Sequence, residues 1–188
     1  MREREEFVST MRDLDPKKLV FLDESGFKTN LHRNYGWAPV GERPIIYADK
    51  FGKNVTIIGA IALDGLRATR VFEGTLDGPG FVAFLSENLG PTLAEGDIVV
   101  MDGPRLHRVA GVDEALAAHG AKPLYLPRYS PELNPIEMCW SLLKAWVRTR
   151  TPRVASRLVD AVQDAWGKVT ANLCESWMRH CGYAVGST

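Results

Sequence analysis

The chain has 188 residues, enough for one domain with a buried core, and its 45% of apolar residues is ordinary for a globular protein. Lys plus Arg balance Asp plus Glu at 23 each, so bulk charge carries no nucleic-acid signature and any such surface must come from local clustering. Cys139, Cys174 and Cys181 are odd in number and form no CxxC pair, which argues against a disulfide framework and for a reduced, cytoplasmic setting with structural thiols. The charged N-terminus leads into no apolar stretch long enough for a signal peptide or a membrane span.

Phe7, Met11 and Leu14 fall on one face among Arg and Glu, so residues 1–14 read as a short charged helix packing weakly on the domain or on a partner. Residues 17–23 form a buried strand, and the Gly- and aromatic-containing stretch 26–44 reads as an irregular hairpin or arm anchored by Trp37. Asp64-Gly65 is a tight-turn signal between the apolar run 55–63 and an edge strand at 66–73, which together make an antiparallel hairpin. Helix and strand then alternate: a helix at 80–89, a strand at 97–102, a helix at 106–119, a strand at 123–126 and a long helix from Pro135. Val154, Leu158, Ala161, Val162, Ala165, Trp166 and Val169 trace the apolar face of a final helix, and the small polar residues after Tyr183 are expected to fray. An antiparallel hairpin followed by crossover units predicts an α/β fold with a mixed sheet. The division expected is a charged N-terminal helix or arm at 1–16, the main domain at 17–170 and a C-terminal extension at 171–188.

Three carboxylates stand at element ends. Asp23 closes Leu19-Val20-Phe21-Leu22, Asp102 closes Ile98-Val99-Val100-Met101, and Glu137 lies in the first turn of the helix opening at Asn134-Pro135. Each has a structural reading alone: a strand terminus for Asp23, a turn for Asp102-Gly103-Pro104, and a capping box with Asn134 for Glu137. Together they suggest more, because a desolvated charge at a strand end requires a partner. If the strands ending in Asp23 and Asp102 are parallel neighbours, roughly 4.8 Å apart, the acids converge where open α/β sheets bind ligands. Clustered carboxylates on rigid elements are what hard divalent cations require. After Glu137 no acid occurs before Asp160, while Lys144, Arg148, Arg150, Arg153 and Arg157 accumulate, either as a phosphate-contact track or as a solvated helix face.

Phe21-Leu22-Asp23-Glu24-Ser25-Gly26, Val100-Met101-Asp102-Gly103-Pro104-Arg105-Leu106-His107 and the block from Leu126 through Tyr129-Ser130-Pro131-Glu132-Leu133-Asn134-Pro135-Ile136-Glu137 to Trp140 resemble the three catalytic blocks of mariner-superfamily DDE transposases, in particular their bacterial insertion-sequence branch. That family usually spaces its second Asp and its Glu by 34 residues, and 34 residues lie between Asp102 and Glu137 here. Tyr35-Gly36-Trp37-Ala38-Pro39 is similar to the aromatic stretch after the family's first acid. Gly103 stands where the family usually has Asn, and Arg128 where a Pro is more common.

The resemblance implies a ribonuclease H-like mixed five-stranded sheet flanked by helices. It also implies Asp23, Asp102 and Glu137 as the catalytic acids holding two Mg²⁺ or Mn²⁺ ions, with Asp23 shared between them. DNA would be the substrate, cut at insertion-sequence ends and joined to a target, commonly at a TA dinucleotide. His107 would support the site by contacting a phosphate or the attacking group, or else be a helix-start histidine bonded to backbone. A homodimer is implied, and since no helix-turn-helix module precedes Lys17 the chain looks like the catalytic half: the product of a separate reading frame with a separate N-terminal helix-turn-helix half, one joined to it by frameshifting, or a truncated remnant. The alternatives are a catalytically silent DNA-binding or dimerisation module, which Gly103 motivates, and a nuclease or resolvase without joining activity.

Overall fold

The computed structural model describes residues 2–29, 36–45, 54–103, 109–150 and 154–185. His107, Arg153, Tyr35 and the start of the helix expected at 106–119 lie outside the described residues. A mixed five-stranded sheet forms the centre, in the order β3-β2-β1-β4-β5. β1 is Leu19–Lys28, β2 is Asn54–Ala62, β3 is Gly65–Glu73, β4 is Ile98–Met101 and β5 is Lys122–Tyr125. β2 runs antiparallel to both its neighbours, whereas β1, β4 and β5 are mutually parallel. The expected hairpin and parallel crossover strands are therefore present, with β1 central between them.

Period-two alternation along the strands sorts the core into two layers. Leu19, Phe21, Phe27, Ile57, Ile98 and Val100 face one side and pack under α1 (Arg2–Asp13), α4 (Ile136–Arg150), α5 (Ala155–Trp166) and α6 (Ala171–His180). Val20, Leu22, Ile58, Ala60, Val99 and Met101 face the other side, under α2 (Gly78–Phe84) and α3 (Val112–Ala117). Asp77 caps α2 by accepting from the Gly80 N–H, and the helix passes into a π turn at Leu85–Leu89.

Four expectations need correction. α1 does not pack weakly, because Phe7 and Met11, one helical turn apart, are both buried in the larger core. Trp37 anchors nothing: it is fully exposed, as is Val40, in a stretch without regular structure. The helix at 155–166 is not the last. Thr170 caps α6 by accepting from the Leu173 N–H, and Cys174, Met178, Cys181 and Tyr183 enter the core at helical spacing. Tyr183 packs edge-on against Phe21 with ring centroids 4.8 Å apart and donates its hydroxyl to the Leu133 carbonyl at 2.8 Å. The strand expected to end at Asp23 continues to Lys28, because β2 pairs with it along its whole second half.

The three cysteines are buried and unbridged, and burial pushes the thiols of Cys174 and Cys181 up to about 11. Among the described residues no helix is long and apolar enough to cross a membrane.

Gly59 on β2 sits directly across from Asp23. A Cβ there would lie 2.7 Å from the Trp166 ring and 3.1 Å from the Trp140 ring, both on the far side of a buried aromatic pair. Gly59→Ala is expected to lower stability by about 1–3 kcal/mol through overpacking, measured as a shift of the urea midpoint at unchanged m-value. A neutral outcome would mean that the two indoles are loosely packed.

Candidate active site

β1 and β4 pair through Leu19↔Ile98, Val20↔Val99 and Phe21↔Val100. Continuing that register by two residues sets Asp102, the first residue beyond β4, beside Asp23. Both then project from the face covered by α4, the face of Phe21 and Val100. Past this level β1 stays paired with β2 alone, so the sheet opens on its β4 side at the carboxyl ends of two parallel strands.

Glu137 comes from above the sheet. A 3-10 turn at Pro131–Leu133 and the pair Asn134-Pro135 lead into α4, and Glu137 is its second residue. The capping box expected from Asn134 does not form, because the Asn134 Oδ1 is buried without a hydrogen-bond partner. Its backbone carbonyl accepts from the Glu137 N–H instead, at 3.1 Å. An acceptor left unsatisfied at such depth is costly and therefore suited to a bound group.

The three carboxylates differ sharply in exposure. Asp23 is 8% exposed, Asp102 is partly buried and Glu137 faces solvent. Burial pushes the Asp23 carboxyl up to about 7, and repulsion from Glu24, Asp102 and Glu137 adds to the effect against an opposing backbone hydrogen bond at Glu24. Among the described residues no three His, Cys, Asp or Glu side chains stand close enough to surround a single ion. The donors that the three acids offer are all oxygen, the type a hard divalent cation takes. The indole N–H of Trp140 on α4 donates to the Asp23 Oδ2 at 3.0 Å.

A cleft of about 460 Å³ borders two of the acids, lined by Asp102, Gly103, Arg128, Tyr129, Asn134 and Glu137. A second, of about 530 Å³, shares Asn134 and Glu137 and reaches Arg4, Ser141 and His180; Arg4 pairs with Glu132 at its edge. Tyr129 is 99% exposed at the rim of the first cleft and adopts φ of 56°, an uncommon backbone state for a residue with a side chain.

The basic residues separate. Lys144 and Arg148 follow Glu137 by seven and eleven positions, so helical geometry places all three along one stripe of α4. The Lys144 ammonium lies 5.7 Å from the Phe27 ring centroid. Arg150 points elsewhere, paired with Asp164 of α5 and stacked over Trp146. Arg157 is exposed on α5. Sequence reasoning passed over Tyr129, Asn134 and Trp140 as site residues. Only the density of Pro and Asn around them signals an unusual backbone, and nothing local signals the contact to Asp23.

A sequence model described as DDE superfamily endonuclease matches residues 18–159. The fold is similar to that of Mos1 transposase in its paired-end complex with the left transposon end, at a TM-score of 0.76 and 14% identity, covering 95% of this chain and 56% of that one. It is also similar to the Mos1 strand transfer complex, at 0.71 and 16%, covering 96% and 55%. The Mos1 catalytic domain with raltegravir and Mg gives 0.67 and 14%, covering 96% and 85%. The chain thus spans about half the length of the transposase in the two DNA complexes. Curated protein sequences provide no match.

The unfolded chain titrates Asp23 near 3.8 and the folded chain near 7, so between those values the folded state holds a proton that the unfolded state has lost. Stability from this group is therefore highest below about pH 4 and falls as pH rises to about 7. The full penalty is at most about 4 kcal/mol. In metal-free buffer Asp23→Asn is expected to be more stable than the wild type at pH 8 and close to it at pH 4, read from urea midpoints. An equal difference at both pH values would rule out ionisation as the cause.

Proposed function

From the match over residues 18–159, the chain belongs to the DDE superfamily endonucleases, and on that premise we propose that it is the catalytic part of a DNA transposase, cutting and joining DNA at insertion-sequence ends. The observation that carries the reading is geometric: the parallel register of β1 and β4 sets Asp23 and Asp102 side by side at the opening of the sheet, and α4 carries Glu137 in its first turn. Such a cluster is unfavourable by itself and becomes favourable around divalent cations.

In this reading two ions, Mg²⁺ or Mn²⁺, would be held by Asp23, Asp102 and Glu137, with Asp23 contributing to both. Bound cations would supply charge to activate water or a DNA 3′-hydroxyl and to stabilise the leaving oxygen. The chain's own contribution is placement. β1 and β4 fix two acids at one level of the sheet, and α4 brings the third over them. Asn134 offers a buried acceptor in the cleft, and Lys144 and Arg148 continue from Glu137 as a line of phosphate contacts, with Arg128 at the cleft wall. His107, Arg153 and Arg157 extend the same reading as support and DNA contacts. Mos1 transposase, to which the fold is similar, is described with a transposon end, in a strand transfer complex and with Mg, which supports DNA and a divalent metal as partners.

The remaining parts of the proposal are a homodimer, a separate helix-turn-helix half for end recognition, and TA as target. Exposed Trp37, Val40 and Ile45 support an arm that reaches a second copy. Residues 17–170 carry the catalytic residues of this reading, and α1 and α6 complete the core beneath them.

Mn²⁺ is expected to raise the melting temperature of the wild type and not of Asp23→Asn, because a ligand bound only by the folded state stabilises it by mass action. Asp23→Asn, Asp102→Asn and Glu137→Gln should each abolish Mn²⁺-dependent nicking and joining of duplex DNA. Full activity in any of them would remove that residue from the mechanism, and an equal small response to metal in wild type and variant would favour a silent module. For DNA binding, Lys144→Ala with Arg148→Ala is expected to flatten the slope of log K against log salt by roughly 1.5–2. Arg150→Ala should leave the slope nearly unchanged, since its guanidinium is engaged by Asp164. Equal slopes in the double variant and the wild type would place the DNA on another face.

A further inference from the structure

We propose that Trp140 is the positioning residue for Asp23: its indole N–H holds the carboxylate by Oδ2 in one fixed orientation for meeting a cation. The inference rests on the reading of Asp23 as a metal ligand.

The contact is buried and well formed. Trp140 is 2% exposed and Asp23 8%, and Nε1 stands 3.0 Å from Oδ2. An indole N–H only donates, so it favours the ionised acceptor, and no rotation of the ring can turn it into a competitor. It also adds no formal charge. A Lys or Arg in this place would hold the carboxylate equally well but would repel a divalent cation, whereas a neutral donor orients the ligand and leaves its charge for the metal.

The ring is not free to choose another partner. Its edge meets Trp166 with centroids 5.4 Å apart and Phe27 at 6.4 Å, and the absence of a Cβ at Gly59 makes room for both indoles on β2 directly opposite Asp23. The position on α4 adds a second consequence. Trp140 follows Glu137 by three residues, close to one turn, so the helix that presents Glu137 also grips Asp23. Two of the three acids, from elements far apart in sequence, are thereby held in one frame.

The test compares the full chain with Trp140→Phe, which keeps an aromatic ring and removes the donor. Mn²⁺ affinity by calorimetry at pH 7.5 is expected to fall about tenfold or more in the variant. In the wild type, ¹⁵N-labelled at its five tryptophans, the Trp140 indole resonance is expected to move on Mg²⁺ titration with the midpoint of cation binding. That second measurement needs no variant to fold, the resonance being assigned in uniformly ¹³C,¹⁵N-labelled protein by linking the indole through its ring and Cβ to the sequentially assigned Trp140 backbone. Unchanged Mn²⁺ affinity in a folded Trp140→Phe, or an indole resonance unmoved while the wild type saturates with cation, would overturn the positioning role. A wild type that binds no Mn²⁺ in the presence or absence of duplex DNA would instead overturn the metal reading on which the inference rests.

Discussion

A carboxylate almost removed from water, at the point where a sheet parts, is the constraint around which this molecule is arranged. Burial and repulsion from neighbouring acids together make Asp23 hold its proton to near neutrality. The surroundings set three other acids, Glu24, Asp102 and Glu137, and one neutral indole donor about it. Every nearby choice follows from keeping that group both buried and available: a glycine across the strand, two indoles in the space so created, and a helix whose first turn carries the second layer of charge.

Much of this was legible because strands announce themselves by runs and by alternation. Leu19-Val20-Phe21-Leu22 and Ile98-Val99-Val100-Met101 are apolar on both faces, as buried parallel strands must be, and the acids that end them could be read directly. The hairpin was equally plain, with Asp64-Gly65 between β2 and β3. α6 was missed although its pattern is present, since Thr170 and the spacing of Cys174, Trp177, Met178 and Cys181 mark a capped amphipathic helix. A run of small polar residues beyond it drew attention away. Trp37 misled for the opposite reason, because a large aromatic residue ordinarily indicates burial and this one is on the surface.

The site was less legible than the fold, because its decisive relations are tertiary. Nothing in the spacing of Asp23 and Trp140, separated by more than a hundred residues, foretells a hydrogen bond between them. The basic cluster after Glu137 was visible as composition, but only helical phase separates Lys144 and Arg148 from Arg150, and only the position of Asp164 shows where Arg150 is spent. The apparent capping box at Asn134 and Glu137 shows how a local motif can match in letters while its side chain is left for another purpose.

The bond from Tyr183 to the Leu133 carbonyl carries a temporal consequence. Leu133 closes the turn that launches α4, and Tyr183 lies fifty residues further along the chain. The bond joins two segments fifty residues apart, so the junction that launches α4 is pinned only when α6 has docked against the core. Until then a folding chain would carry all three acids without the full framework that sets their geometry, and the last described turn of the protein acts as the latch that ends that interval.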